Sequence, residues 1–436
     1  MNLTEEQDRI ENPWKYFKHP HVHFLKQKNF DSKKISATDG FIDKSTIEQQ
    51  SGYEIYSEMN SNYLYEKISS SEIPSILGSG LVGKVYPVLF TERVPEGEVV
   101  ALKLYSPKIP QVIQRNILGL SYEKRPISLD RVLRAEAIHS KSGMLGLIMP
   151  LRTTFLSDYL KSNDPIITNR VSVYNYAPIF DNLADQYEFA MGAGMKNKVE
   201  GRISICLDIA LKTLEILSEL KQLGLMTLDL KSNNLSFGKQ LKSGAINFNN
   251  LNSDLELADY GGVLKLNTPI PEEYFNYGHF MTFSRDIILG KRNQLNEEDI
   301  LWAFGNFFWS LTTGHKHILS YAEPILEKEC ALKNLTPKEI GLNIRKCDDS
   351  GVENVIFDLI SAVPNNSFKE ILFYTLLPNR YRMSIENIAK KPENQDKNLD
   401  ILKKINLERL KHKLILAKND NYDEINKKNK IQSSSK

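Results

Sequence analysis

Hydrophobic and β-branched residues, punctuated by turn residues, dominate two consecutive stretches in the first half of the chain. Residues 73–105 read IPSILGSGLVGKVYPVLFTERVPEGEVVALKLY, and the glycine-rich and Pro-Glu-Gly turns within them predict three successive strands. Residues 131–151 alternate between apolar and polar positions, turn at Ser142 and Gly143 and then become apolar, which predicts a hairpin. We therefore expect a small strand-rich region over residues 73–150.

Helical periodicity dominates the second half of the chain. Apolar residues recur at helical spacing over residues 202–223, and EEDILWAFGNFFWSLTTG, which starts at Glu297, opens a further helical region. Two short strands, NLSF and LELADY, are predicted between these helices. Because the strands come first and the helices second, the pattern indicates an α+β fold with two lobes.

The two ends of the chain and one internal segment lack this regularity. Residues 1–72 are polar with poor periodicity and are predicted to form an irregular extension, and residues 161–200 are predicted to be an insertion. In the tail, residues 393–436, four apolar residues lie near one helical face: Leu402, Ile405, Leu410 and Leu414. This stripe favours a helix packed on the main body over a partner or membrane-surface helix, and the polar residues from Asn419 onward are predicted to be disordered.

Composition and charge narrow the classes of function. Hydrophobic residues make up 41% and charged residues 25% of the chain, as in ordinary globular proteins, and a net charge of +2 argues against a nucleic-acid binder. Three scattered cysteines suit a reducing compartment and neither a disulfide framework nor a zinc site. With no visible secretory signal and no run of 18 apolar residues, we expect a cytoplasmic protein without a transmembrane segment.

Two polar features of the strand-rich region could bind phosphate. In GSGLVGKVY, Gly78, Gly80 and Gly83 would let a hairpin backbone approach phosphate oxygens. Dinucleotide-binding turns share this spacing, but they continue into a helix, whereas here a strand is predicted. In VVALKLY, Lys103 lies in an apolar strand, either at an edge facing water or beside a phosphate or carboxylate that compensates its charge.

Two polar features of the second half could complete a site. LDLKSNN brings Asp229, Lys231 and Asn234 within six residues, a spacing that could hold a hydroxyl, a phosphate and a metal. LELADYGG ends a predicted strand at Asp259, beside glycines. Such a carboxylate suits Mg²⁺, which prefers one or two carboxylates together with phosphate oxygens.

Taken in this order, the four features resemble the glycine-rich loop, third-strand lysine, catalytic loop and Asp-Phe-Gly motif of the protein kinase family. The resemblance covers about residues 73–392 and extends to SRDIILGKRNQLNEEDILWAFG and LLPNRYRMSIENIAKKPE. It implies a bilobal kinase-like fold, with a β-rich N-lobe at 73–150 and a larger helical C-lobe at 151–392. It also implies transfer of the γ-phosphate of ATP to Ser or Thr of protein substrates, with ATP and Mg²⁺ as cofactors.

The resemblance implies a role for each matching residue. Asp229 would accept the proton of the substrate hydroxyl and Lys231 would steady the transferring phosphate. Asn234 and Asp259 would hold Mg²⁺, and Lys103 would bind the α- and β-phosphates. The ATP site would comprise Gly78, Ser79, Gly80, Leu81, Val82, Gly83, Val85, Ala101, Lys103, Met149, Pro150 and Arg152.

The acidic partner that the family provides for Lys103 has three candidates. Glu123 lies nearer than Glu136 to the separation from Lys103 that the family shows, although Pro126 would end its helix soon after, and we assign the role to Glu123. Glu136 falls in a predicted strand, and Gln114 lies in a better helical stretch but cannot form an ion pair.

Several positions depart from the family pattern, among them Tyr260 in place of Phe and Ser284-Arg285-Asp286 in place of Ala-Pro-Glu. Thr227 and Leu228 stand where the family has His and Arg, and that Arg normally binds a phosphorylated activation loop. We therefore expect constitutive activity or control by a partner. Asp299 is one residue too far from Trp302, which puts that helix's usual anchor on the catalytic loop in doubt.

Two other functions stay open. An ATP-binding pseudokinase scaffold is favoured by the missing His and Arg, but the lysine, aspartates and asparagine of the motifs are all present. Kinases of small molecules, lipids or sugars usually lack an activation segment, which residues 259–286 resemble.

Besides the protein substrate, a regulatory partner could act through the extensions or the insertion. The chain also resembles effectors that intracellular bacteria deliver into a host cytosol.

Overall fold

The structure is a computed structural model, and it divides into two compact units. The first comprises Met1–Phe155 and Leu235–Gly261, and the second comprises Leu156–Asn234 and Gly262–Lys436. We call them the strand-rich unit and the helical unit. The residues that the structure describes are 3–29, 63–67, 72–79, 83–92, 98–106, 131, 135–141, 143–151, 155–157, 196–237, 255–259, 262–271, 273–274, 282–288, 291–313, 318, 349–361, 363, 365–381 and 406–434.

Helices and strands are numbered here in chain order. The strands are β1 (Val22–Asn29), β2 (Tyr63–Lys67), β3 (Gly78–Ser79), β4 (Gly83–Phe90), β5 (Glu98–Tyr105), β6 (Glu136–His139), β7 (Leu145–Pro150), β8 (Leu225–Thr227), β9 (Leu235–Phe237), β10 (Leu255–Leu257) and β11 (Val263–Lys265). The helices are α1 (Leu3–Glu11), α2 (Pro13–Tyr16), α3 (Lys196–Gln222), α4 (Arg285–Ile288), α5 (Glu297–Thr313), α6 (Asp349–Ser361), α7 (Asn366–Leu376) and α8 (Leu407–Ser434). The presence of both helices and an antiparallel sheet confirms the predicted α+β class.

An antiparallel sheet organises the strand-rich unit. Its strand order is β2-β1-β4-β5-β7-β6, and the short β3 pairs with β4. The predicted strands are present and paired: β3 with β4, β4 with β5, and β6 with β7. Gly143, with a φ of 78°, occupies the turn of the β6–β7 hairpin in a conformation that favours glycine. The glycine and β-branched residues thus determined this part of the fold locally.

The predicted irregular extension is partly folded, which corrects the boundary at residue 73. β1 pairs antiparallel with β4, with Val22 opposite Phe90, and α1 and α2 precede it. Phe17 and Val22 are buried in the same apolar cluster as Phe90 and Leu102. Few large apolar residues anchor this segment in the core. Because most of its residues are polar, the sequence pattern did not predict β1. Residues 30–62 lie outside the described residues.

Helices and a two-stranded ladder build the helical unit. α3 is apolar along one side and packs against α5, and α5 packs against α7. β8 pairs antiparallel with β11, with Thr227 opposite Val263. α3 begins at Lys196, before the predicted start at residue 202, and so it includes the end of the predicted insertion. Residues 161–195 of that insertion lie outside the described residues.

The tail forms a long helix, α8, that packs on α3 and α7. Leu410 and Leu414 are fully buried, and Lys418 forms an ion pair with Asp208 of α3. The predicted packing of this stripe on the main body is therefore confirmed for these residues. The predicted disorder from residue 419 is wrong, because the helix continues to Ser434. Within the described ranges, no helix combines the length and apolarity that crossing a membrane requires.

Candidate functional site

One face of the sheet in the strand-rich unit carries four of the predicted nucleotide-binding side chains. Val85 on β4 lies opposite Lys103 on β5, and Ala101 lies opposite Met149 on β7. Cross-strand partners point to the same face, as do residues two apart on one strand. These four side chains therefore share a face. The opposite face of the same strands supplies Tyr86, Leu102 and other residues to the apolar core.

The glycine-rich turn is described on both sides of its tip. Gly78 and Ser79 pair with Val85 and Lys84, and Gly83 begins β4 opposite Tyr105. A Cβ at Gly83 would lie 2.2 Å from the carbonyl oxygen of Leu104, so only glycine fits there. Pro150 ends β7 in an exposed position. Four other predicted residues, Gly80, Leu81, Val82 and Arg152, lie outside the described residues.

Lys103 forms an ion pair with Asp259 in the strand-rich unit. Its Nζ lies 2.7 Å from Oδ1 and 2.8 Å from Oδ2 of Asp259. Lys103 is only 8% exposed, and a buried ammonium requires such a partner because desolvation otherwise costs several kcal/mol. The tertiary fold thus brings together two predicted functional residues that are 156 positions apart.

The predicted acidic partner of Lys103 was a different residue. Glu123 and the alternative Gln114 lie outside the described residues. Glu136 lies on β6 opposite Ile148, in a strand as predicted. Asp259 is the carboxylate that the structure places on Lys103, and sequence reasoning assigned it only to the metal.

Asp229, Lys231 and Asn234 converge in the helical unit. Lys231 Nζ lies 2.8 Å from Asp229 Oδ2, and Asn234 Nδ2 donates to Asp229 at 2.8 Å from its carbonyl oxygen and 2.9 Å from Oδ2. A 3₁₀ turn, Ser232–Asn234, brings the amide back to the carboxylate. The Asp229 side chain is 14% exposed, and the Lys231 side chain is 50% exposed. The predicted triplet is therefore one hydrogen-bonded cluster.

Main-chain contacts brace Asp229 where the kinase pattern has His and Arg. Leu228 N donates to the carbonyl oxygen of Gly262 at 2.8 Å. A Cβ at Gly262 would lie 2.8 Å from Asp229 Cβ and 2.9 Å from Asp229 N, closer than real Cβ atoms come. Thr227 and Leu228 are both buried. Sequence reasoning missed Gly262; the second glycine of DYGG was its only signal.

Asp299 anchors the start of α5 on the segment just before it. It is 1% exposed and accepts hydrogen bonds from Ser284 Oγ, from Asn296 N at 2.7 Å and from both terminal nitrogens of Arg292. Burial alone would lower the pKa of Arg292, but its bonds to Asp299 and the charge of Asp299 raise it. Asp299 thus ties α5 to Ser284, Arg292 and Asn296. These bonds do not test the anchor on the catalytic loop that the sequence put in doubt.

The two side chains predicted to hold Mg²⁺ belong to different units, Asp259 to the strand-rich unit and Asn234 to the helical unit. Among the described residues, no group of three or more His, Cys, Asp or Glu side chains could hold a metal alone. Mg²⁺ is usually held by one or two carboxylates plus substrate phosphates rather than by a protein cage. Asp259 offers a carboxylate. Asn234 uses its Nδ2 on Asp229, which turns its Oδ1 to the opposite side of the amide.

Comparison with known proteins assigns no family to the chain. No family model matches it, and no curated protein matches it either.

Proposed function

We propose that the protein is an ATP-dependent protein kinase that transfers the γ-phosphate to Ser or Thr hydroxyls of protein substrates. The observation that carries the proposal is the Asp229 cluster, a largely buried carboxylate held by the Lys231 ammonium and the Asn234 amide. A carboxylate that must orient a hydroxyl needs such fixed geometry, because phosphoryl transfer is catalysed mainly by positioning and electrostatics. The division into a strand-rich and a helical unit is compatible with a bilobal kinase fold.

Each residue of the proposal has a defined task. Asp229 orients the acceptor hydroxyl and takes its proton as the oxygen attacks the γ-phosphorus. The bond from that phosphorus to the β–γ bridging oxygen breaks, and ADP leaves. Lys231, half exposed beside that carboxylate, neutralises charge on the transferring phosphoryl group. Lys103 exchanges the Asp259 carboxylate for phosphate oxygens of ATP. Asp259 would hold Mg²⁺, which would supply positive charge to the phosphate oxygens when it is bound.

A lysine at position 231 favours Ser and Thr over Tyr as acceptors, since tyrosine kinases usually carry Arg or Ala near that point. The expected partners are proteins with an accessible Ser or Thr. Thr227 and Leu228 provide no cation for a phosphorylated activation loop. We propose that activity does not depend on such a phosphate, and an activation-segment phosphate that raised the rate many-fold would contradict this part of the proposal.

The main test compares two aspartate variants in the full chain. Asp229→Asn preserves shape but removes the base, and Asp358→Asn makes the same change at an exposed position on α6. With Mg²⁺, labelled ATP and a generic basic protein, we expect Asp229→Asn to lower kcat by about 10²–10⁴-fold, and Asp358→Asn to match wild type. Equal incorporation by wild type and Asp229→Asn would refute the catalytic role of Asp229.

A second pair of variants tests nucleotide binding. Lys103→Met should weaken binding of Mg-ATP, whereas Lys265→Met, at an exposed position on β11, should not. If wild type transfers no phosphate but its melting temperature rises with ATP, the pseudokinase scaffold is the better function. The substitutions for His and Arg at Thr227 and Leu228 are the observation that favours this second candidate.

A further inference from the structure

A buried phenol stands beside the Lys103–Asp259 ion pair. Tyr105 is the last residue of β5, two positions after Lys103 and on the same face of the sheet. Lys103 Nζ lies 5.2 Å from the centroid of the Tyr105 ring. Tyr105 is 2% exposed, yet its hydroxyl has no hydrogen-bond partner among the described residues. A fully buried hydroxyl without a partner is costly, so it calls for an acceptor.

The position of Tyr105 indicates what kind of acceptor this is. Gly83, at the end of the glycine-rich turn, lies directly opposite Tyr105, so the phenol is next to the turn that the sequence predicts to bind phosphate. Burial, reinforced by the charge of Asp259, raises the pKa of Tyr105 well above 10.0. The phenol therefore keeps its proton and can donate. An ammonium and a hydroxyl donor on one face, beside a glycine turn, match an anion with several oxygens.

We propose that Tyr105 is a phosphate-binding residue, whose hydroxyl donates to an outer phosphate oxygen of the ligand that Lys103 binds. When Lys103 exchanges the Asp259 carboxylate for phosphate, the phosphate oxygens come within reach of the Tyr105 ring that Lys103 already contacts. The hydroxyl that has no partner among the described residues then gains one in the phosphate. The identity of the ligand as ATP rests on the proposed function; the phosphate preference rests on Tyr105, Lys103 and Gly83.

A matched pair of tyrosine variants isolates the hydroxyl. Tyr105→Phe removes only that group. Tyr86→Phe makes the same change on β4, where the phenol is equally buried and its hydroxyl equally unpaired among the described residues. Tyr86 belongs to the apolar core on the other face of the sheet, against the edge of Phe24 at 5.5 Å between ring centroids. It has no phosphate to reach.

Calorimetric titration of wild type and both variants with Mg-ATP, Mg-pyrophosphate and adenosine tests the inference. We expect Tyr105→Phe to weaken binding of Mg-ATP and Mg-pyrophosphate by about tenfold or more, as for loss of a hydrogen bond to a charged group, and to leave adenosine binding unchanged. Tyr86→Phe should match wild type throughout. The melting temperature of Tyr105→Phe without ligand should equal or exceed that of wild type, since an unpaired hydroxyl is removed.

The outcomes separate this inference from the proposed function. If Tyr105→Phe binds Mg-ATP and Mg-pyrophosphate as tightly as wild type, the inference is overturned and the kinase proposal stands. If wild type binds Mg-pyrophosphate but not Mg-ATP, the kinase proposal fails, and a loss of pyrophosphate binding in Tyr105→Phe still supports the inference. A clear drop in the melting temperature of Tyr105→Phe would indicate an internal partner for the hydroxyl and overturn the inference. The inference is also overturned if the wild-type protein binds neither Mg-ATP nor Mg-pyrophosphate.

Discussion

Gly262→Ala perturbs the brace of the Asp229 cluster without touching any of its polar atoms. The new methyl carbon would lie 2.8 Å from Asp229 Cβ and 2.9 Å from Asp229 N. Ordinary carbon contacts are about 3.5–4.0 Å, so the two segments must separate by several tenths of an ångström at least. One of the atoms in the way belongs to the backbone, which cannot rotate aside as a side chain can. The strain therefore falls on the peptide that carries Asp229.

Gly262→Ala should lower both the unfolding free energy and kcat. Insertion of a methyl group into a packed site costs about 1–3 kcal/mol of unfolding free energy. The hydrogen bond from Leu228 N to the Gly262 carbonyl oxygen, 2.8 Å long, would lengthen in the same movement. A displacement of about 1 Å at a catalytic group can cost about 10²-fold in rate, because the acceptor hydroxyl is no longer in line. We therefore expect kcat to fall by about 10²-fold while the KM for ATP changes little.

Gly305→Ala is the matched control for this experiment. Its Cβ would lie 2.6 Å from Thr375 Oγ1 and 2.8 Å from Leu376 Cδ2, which crowds the α5–α7 packing in the same unit. Steady-state phosphorylation kinetics and thermal unfolding of both variants give the comparison. We expect both to lose stability, but only Gly262→Ala to lose kcat disproportionately. Equal losses of kcat at equal losses of melting temperature would refute the positioning role of Gly262.

Three further predictions concern the helical unit. Leu414→Ala should cost about 2–5 kcal/mol in urea unfolding because Leu414, on α8, is fully buried. Leu416→Ala on the same helix, where Leu416 is 47% exposed, should cost under about 0.5 kcal/mol, and equal costs would mean that α8 is not packed in solution. Asp299→Ala should cost about 3 kcal/mol in the same assay because it leaves Arg292 without its carboxylate, and an unchanged midpoint would contradict the anchor. Burial, opposed in part by a hydrogen bond with the backbone of Asn406, raises the pKa of Tyr374 from 10.0 to about 12. The contribution of the neutral phenol to the unfolding free energy is therefore complete below pH 10 and is lost as the pH rises through 12. Between pH 10 and pH 12, the unfolding free energy of Tyr374→Phe should fall less than that of wild type. Equal falls in the two proteins would contradict a raised pKa of Tyr374.

The pattern of apolar, polar and turn residues predicted the structure correctly where that structure depends on residues close together in the chain. The strands β4 to β7 and their turns follow from β-branched runs and glycine positions, because strand alternation and turn conformation are local properties. The Asp229 cluster also forms within six residues, around one 3₁₀ turn. Such short separations let spacing alone predict which side chains meet.

Segments with few apolar residues were less predictable. The polar composition of residues 1–72 indicated an irregular extension, yet a few buried side chains suffice to add β1 to the sheet. The polar end of α8 was predicted to be disordered, although the structure continues the helix to Ser434. For β1, packing of a small apolar set on a distant part of the chain outweighed the local composition.

Only the tertiary structure decided which distant groups meet. The sequence by itself determined the α+β class, the turns and the chemistry of each polar stretch, because these depend on residue type and spacing. It did not determine that Asp259 bonds Lys103 across 156 positions, that Gly262 abuts Asp229, or that Tyr105 is buried beside the ion pair. Each of these is a contact between segments remote in the chain. Such contacts are set by the packing of whole elements, which no local pattern encodes.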